Sequence, residues 1–293
     1  MIVPSTIEGL RAELAAVGRP LVFVPTMGAL HEGHLTLLRE ARILAGSAGT
    51  VVASIFVNPT QFGPGEDLDS YPKPLERDLA LCEGEGADVV FTPGPDEIYF
   101  EDRSISVSEG RLSEGLCGER RPGHFDGVCL VVLKLFNVIG CDIAVFGKKD
   151  YQQLAIIRRM VRDLNVPVEI VGVETVREDD GLAMSSRNAY LTKAERAQAP
   201  GIRRALLKLC EAAAGGNAEV ADLRANFESA IAADLPDGRI DYLGIVDRSS
   251  LEPIKTVVDR PALAACAVHL GKARLIDNVE IGPESQPDGP LVS

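Results

Sequence analysis

The chain has 293 residues, 46% of them hydrophobic and 25% charged, with a formal net charge of −13. That is the composition of a globular protein with ample core, in one large domain or two ordinary ones. It speaks against nonspecific nucleic-acid binding, because an acidic surface repels phosphates, and against membrane insertion, because the longest apolar stretch, Val128 to Ile139, is interrupted by Lys134 and is far too short to span.

The first residues carry Glu8 and Arg11 and no apolar leader, the pattern of a cytoplasmic protein. Leu21-Val22-Phe23-Val24 predicts a first strand over 21–25, and Leu38, Ala41 and Leu44 predict a helix over 34–46. Between them lies Pro25-Thr26-Met27-Gly28-Ala29-Leu30-His31-Glu32-Gly33-His34, with two of the four histidines of the chain. A glycine-bearing turn that opens a helix is a phosphate site, because the first N–H groups of the helix lack intrahelical partners and point at bound anions. His31 and His34, three residues apart, can share one face; each can hydrogen-bond a phosphate and gains positive charge if its pKa is raised. The plainer reading is an exposed turn with ordinary histidines.

A buried strand over 51–57 ends in Asn58-Pro59-Thr60-Gln61-Phe62. The carboxamides of Asn58 and Gln61 suit a hydroxy acid, offering donors and acceptors without charge, although Asn-Pro is also ordinary turn chemistry. Gly63 to Pro72 reads as a lid, with Asp67 and Asp69 either touching a metal or solvating the loop. A helix over 73–86 and a strand over 88–92 follow. Arg120-Arg121-Pro122-Gly123-His124 places a cation and an imidazole before a helix over 125–140, for an acidic substrate or simply as a turn. Lys134 in that helix is read as a snorkelling side chain.

A strand over 142–147 meets Gly147-Lys148-Lys149-Asp150-Tyr151-Gln152-Gln153 and a helix over 150–163. A lysine there can reach phosphate oxygens, Asp150 can cap the helix or bond a ribose hydroxyl, and Gln153 falls one turn in. After a strand over 168–173 the character changes near residue 175. Met184-Ser185-Ser186-Arg187-Asn188 offers two hydroxyls and a guanidinium to a triphosphate. Ala-rich helices over 193–214 and 218–233, strands over 239–247, 264–270 and 273–281, and a frayed tail from 282 complete the chain. The alternation predicts an α/β fold, a Rossmann-like parallel sheet with helices on both faces over 1–175, and a smaller α+β domain over 176–293. The six cysteines form no CxxC and no close Cys/His pair, as expected of reduced core thiols rather than a zinc site.

The strand–His-x-Gly-His–helix turn is similar to the signature of the nucleotidylyl-transfer superfamily. Five blocks in order, 25–34, 56–62, 121–128, 149–153 and 181–188, resemble the pantothenate synthetase (pantoate–β-alanine ligase) family. Lys148 stands where that family usually has Glu, and Leu130 where Thr is usual. The resemblance implies ATP-dependent condensation of (R)-pantoate with β-alanine through pantoyl adenylate, giving pantothenate, AMP and pyrophosphate, with Mg²⁺ accompanying ATP. It implies catalytic roles for His31, His34, Lys149 and Arg187. For ATP it implies Met27 to His34, Gly147, Lys148, Lys149, Asp150, Val176, Met184, Ser185, Ser186 and Arg187, and for pantoate and β-alanine Asn58, Gln61 and Gln153; it names no metal ligand. It also implies a homodimer, with the C-terminal domain as cover. A phosphate-accepting adenylyltransferase would share the first turn and the fold but leave AMP in its product; a regulatory nucleotide binder would have no need of the cations.

Overall fold

The computed structural model describes residues 1–216, 219–257 and 260–282; the tail from 283, expected to fray, lies outside them. The elements in order are α1 (Ile7–Leu14), β1 (Leu21–Thr26), α2 (Glu32–Ala45), β2 (Thr50–Ile55), α3 (Leu75–Gly84), β3 (Val89–Phe91), α4 (Pro95–Ile98), α5 (Leu116–Arg120), α6 (His124–Ile139), β4 (Ile143–Gly147), α7 (Tyr151–Asp163), β5 (Glu169–Val173), α8 (Lys193–Gln198), α9 (Gly201–Ala214), α10 (Val220–Asp234), β6 (Gly238–Asp247), β7 (Ala262–Leu270) and β8 (Ala273–Ile281). The chain divides into two compact units, residues 1–113 with 118–176, and 114–117 with 177–293.

The first unit is built on a parallel five-stranded sheet in the order β3-β2-β1-β4-β5. Its strands are continuous apolar runs because both faces are covered. Val22, Val24, Val51, Ala53, Val90 and Val145 pack with Leu35, Leu38 and Ala41 of α2 and Cys82 of α3. On the opposite face Phe23 meets Phe136 of α6 edge to face, ring centroids 6.3 Å apart. The strand order reverses between β1 and β4, so a crevice opens where the turns after these two strands diverge.

The second unit is an antiparallel sheet, β6-β7-β8. Leu243, Ile245, Cys266 and Val268 form one core with Leu206, Leu209, Leu223 and Phe227 of α9 and α10. The single helix expected over 193–214 is two, α8 and α9, separated at Ala199-Pro200. Pro200 has no N–H to donate and its ring crowds the preceding turn.

Candidate active site

Five backbone amides of the turn after β1 are held by side chains of the protein. Gly28 has φ +81°, and a Cβ there would lie 3.0 Å from both Asp78 Oδ2 and Ile55 Cγ2, so glycine answers both the backbone and the space. Asp78, fully buried in the first turn of α3, accepts the N–H of Ala29 at 2.7 Å and of Leu30 at 2.9 Å. Thr26 Oγ1 accepts the N–H of Gly28 at 3.2 Å, and Arg77 donates to the Leu30 carbonyl at 3.3 Å.

The histidines close the rest of the turn. His31 caps α2: its Nδ1 accepts the N–H of Gly33 at 3.1 Å, while His34 Nδ1 accepts the N–H of His31 at 3.3 Å. This is a reciprocal capping box with imidazoles in place of the usual hydroxyl and carboxylate. One expectation is corrected here, and the condition stated for charge on the histidines is not met. The amides of Gly28, Ala29, Leu30, His31 and Gly33 already have protein acceptors, so it is the imidazoles and not these N–H groups that can meet an anion. Nor do the histidines gain charge: burial first, and the neighbouring Lys149, push His31 down to about 4; burial, then His31 and Lys149, push His34 down to about 3. Each ring is neutral, with its proton on Nε2 because Nδ1 is accepting. The rings lie 4.1 Å apart.

The turn after β4 supplies the charge. Lys149 acts on both imidazoles, and Asp150 on His31 and His124. Lys148 instead pairs with Glu174, just past β5, which draws its charge away from the histidines. Asp150, expected to cap α7, makes no side-chain cap hydrogen bond. Of the two glutamines that follow, Gln152 is buried and donates to the Leu112 carbonyl at 2.7 Å; Gln153 is half-buried in the first turn of α7.

After β2, Asn58 is only 1% exposed. Its Nδ2 donates to Gln61 Oε1 at 3.0 Å and to the Gly127 carbonyl at 3.1 Å; its Oδ1 accepts from Tyr99 at 2.7 Å, Thr60 Oγ1 at 2.9 Å and the Thr60 N–H at 3.3 Å. α6 comes so close that a Cβ on Gly127 would stand 2.3 Å from the Thr60 carbonyl oxygen. The residues 121 to 124 form a polar knot. Arg121 pairs bidentately with Glu66, at 2.7 and 2.6 Å, and lies 3.0 Å from His124 Nε2; His124 Nδ1 is 2.8 Å from the Gln61 carbonyl, to which it donates. Burial and Arg121 push His124 down to about 4. Lys134, read as snorkelling, lies over the Tyr99 ring, 5.9 Å from its centroid.

In the second unit Ser185 accepts the N–H of Arg187 at 3.3 Å and opens the turn Ser186–Tyr190. Asn188 ties this turn down, donating to Glu178 at 2.9 Å and to the Ala183 carbonyl at 3.2 Å. Arg177 holds the preceding hairpin to β8 through Asp277, at 2.8 and 2.9 Å.

The pantoate-beta-alanine ligase family profile matches residues 3–280. A pantothenate synthetase of Akkermansia muciniphila is 53% identical over 281 residues, 94% of this chain and 99% of that protein. The crystal structure of pantothenate synthetase from Thermus thermophilus superposes with a TM-score of 0.89 at 49% identity, covering 97% of this chain and all of that one. A pantoate-beta-alanine ligase from Francisella tularensis, in a crystal structure described as complexed with beta-gamma ATP and beta-alanine, gives 0.78 at 30% identity over 95% of this chain and 97% of that one.

The chain belongs to the pantoate–β-alanine ligase family.

Within that family framework, the residues missed by sequence reasoning are those that hold others. Asp78 and Tyr99 reach the histidine turn and Gln61 only through backbone N–H groups or a neighbouring amide. The signal for Asp78 was a lone carboxylate inside an otherwise apolar helix face. Tyr99 carried none. Among the described residues no group of three or more His, Cys, Asp or Glu side chains is placed to hold a metal ion, and no helix is long and apolar enough to cross a membrane. All six cysteines are thiols.

Proposed function

We infer that this protein joins pantoate to β-alanine at the expense of ATP, yielding pantothenate, AMP and pyrophosphate. The observation that carries the chemistry is the pair of neutral, Nδ1-locked histidines beside Lys149, at the point where the order of the sheet reverses. Pantoate's carboxylate is ionised at neutral pH and is itself the nucleophile. Its oxygen attacks the α-phosphorus of ATP, pyrophosphate leaves, and pantoyl adenylate forms. No base is needed for this step; alignment and stabilisation of phosphate charge are. Two fixed Nε2–H donors and one ammonium supply that without reorganising during the reaction. The β-alanine nitrogen, as free amine, then attacks the acyl carbon, the bond to the adenylate oxygen breaks, and AMP departs.

In this reading His31, His34, Lys149 and Arg187 act on the phosphates. Met27 to Gly33, Gly147, Lys148, Asp150, Val176, Met184, Ser185 and Ser186 line the nucleotide path, and Gln61 and Gln153 contact pantoate with Asn58 behind Gln61. The C-terminal region from 176 contributes the Met184–Arg187 phosphate loop. With no protein cage for a metal among the described residues, Mg²⁺ fits as an ion carried on the nucleotide phosphates, where it would neutralise charge. The protein works in the cytoplasm as a homodimer; a monomeric mass at micromolar concentration would contradict the dimer.

The test is product analysis with ATP, pantoate and β-alanine. Equal amounts of AMP and pantothenate support the ligase. AMP retained in a dinucleotide-like product, made from a phosphate-bearing acceptor, would point to an adenylyltransferase instead.

A further inference from the structure

We infer that Asn58 and Tyr99 fix which face of the Gln61 carboxamide meets the substrate, so that Gln61 recognises pantoate solely as a hydrogen-bond donor, through Nε2, to an acceptor oxygen of the acid. The inference rests on the reading of Gln61 as a pantoate contact and specifies what that contact can be.

The two ends of a carboxamide look alike in shape, and only their partners tell them apart. Here the partners are backbone groups whose roles cannot be exchanged. The Thr60 N–H can only donate, so the Asn58 atom facing it is the oxygen; the Gly127 carbonyl can only accept, so the Asn58 atom facing it is the nitrogen. Tyr99 adds a hydroxyl donor on the oxygen side, at 2.7 Å. That phenol is itself gripped: Arg103 lies 5.2 Å and Lys134 5.9 Å from the ring centroid.

With Asn58 fixed, its Nδ2 also faces Gln61 at 3.0 Å, so the Gln61 atom there must be the acceptor Oε1. Gln61 Nε2 is thereby turned the other way. One of its protons meets Met27 Sδ at 3.1 Å, a weak acceptor; the other has no protein acceptor among the described residues. The Gln61 backbone is pinned separately, its carbonyl accepting from His124 at 2.8 Å and from Arg121 at 3.2 Å. Backbone and side chain are therefore held by different networks, and Asn58 and Tyr99 are positioning residues for the amide alone. A carboxylate or hydroxyl oxygen satisfies the outward N–H; a substrate group that can only donate leaves it unpaired, at the cost of a buried unsatisfied donor.

The full-length protein and its variants Gln61→Ala, Gln61→Glu, Asn58→Asp and Tyr99→Phe separate the possibilities, read as pantoate Kd by calorimetry and as KM for pantoate and for ATP. Gln61→Ala should weaken pantoate by about 10- to 100-fold, the size of a hydrogen bond to a charged group. Gln61→Glu should be weaker still, because a carboxylate faces the acceptor oxygen. Asn58→Asp should also raise the KM for pantoate with that for ATP unchanged, since a second acceptor at that position lets the Gln61 amide turn over. Tyr99→Phe should move the same ratio in the same direction by less. A Gln61→Glu protein that binds pantoate as well as or better than Gln61→Ala would overturn the inference and leave the functional reading standing. The two Gln61 variants decide the matter even where Asn58→Asp fails to fold. A wild-type protein that does not use pantoate at all would overturn both.

Discussion

The turn after β1 and the loop after Ala183, both placed at phosphate in the proposed function, are organised in opposite ways. In the first, backbone donors are spent inside the protein: Asp78 takes two of them and the imidazoles of His31 and His34 take two more. What is left to face a ligand is a pair of Nε2–H groups on rings with no freedom of tautomer. In the second, Ser185 takes one amide, and the loop is fixed at its flanks by Asn188 and by Arg177. The first region is preorganised at the level of single protons, the second at the level of the loop. Preorganised dipoles act on the transition state at no cost of reorganisation, so the larger share of the chemistry is expected from the first.

The contrast is tested most severely at His34. His34→Ala should slow adenylate formation by about 10²- to 10³-fold, the usual loss for one electrostatic donor, with His31→Ala close behind, in single-turnover assays of ATP and pantoate. His34→Gln, which carries an N–H donor near the position of Nε2, should recover more rate than His34→Asn, which replaces Nδ1. Recovery in the reverse order would mean that the cap and not the donor matters. Asp78→Ala leaves the Ala29 and Leu30 N–H groups buried without an acceptor. It should cost about 2–6 kcal/mol of stability, at about 1–3 kcal/mol per orphaned donor, read from urea unfolding; an unchanged midpoint would mean that Asp78 does not hold the turn. Ser185→Ala removes one half-buried cap, worth about 1 kcal/mol. It should alter unfolding little and the KM for ATP more.

A pH dependence follows from the same burial. His31, His34 and His124 all titrate below the ordinary histidine value in the folded protein, chiefly because burial disfavours the charged ring. The unfolded chain, with histidine values near 6.5, therefore binds more protons in the window below 6.5. Their contribution to stability is intact above about pH 6.5 and is lost as pH falls toward 4, by about 1 kcal/mol per pH unit for each of the deeply buried rings His34 and His124. Urea midpoints at pH 7.5 and pH 5.5 should differ accordingly. Midpoints that rise on acidification would mean the rings are charged in the folded state.

The strands and the histidine turn were legible because their signals are local. Continuous runs such as Val51 to Val57, and glycines beside histidines at a strand end, carry their meaning within a few residues. The supporting residues were not legible, since their partners are distant in the chain. Asp78 reaches its amides across 49 and 48 residues, Tyr99 reaches Asn58 across 41, and His124 reaches the Gln61 carbonyl across 63. No periodicity encodes such pairings. The charge state of the histidines was hidden for the same reason, because burial and Lys149, not the motif itself, decide it. The break between α8 and α9 was written in the sequence as Pro200, but the apolar period on either side of it suggested one continuous helix.

Isotope exchange of labelled pyrophosphate into ATP, with pantoate present and β-alanine absent, probes the histidine turn at the step it is built for. Exchange should depend on pantoate and fall with His34→Ala, since pantoyl adenylate forms reversibly before the amine arrives. Exchange that appears only when β-alanine is added would contradict a free adenylate intermediate and the division of labour between the two phosphate regions.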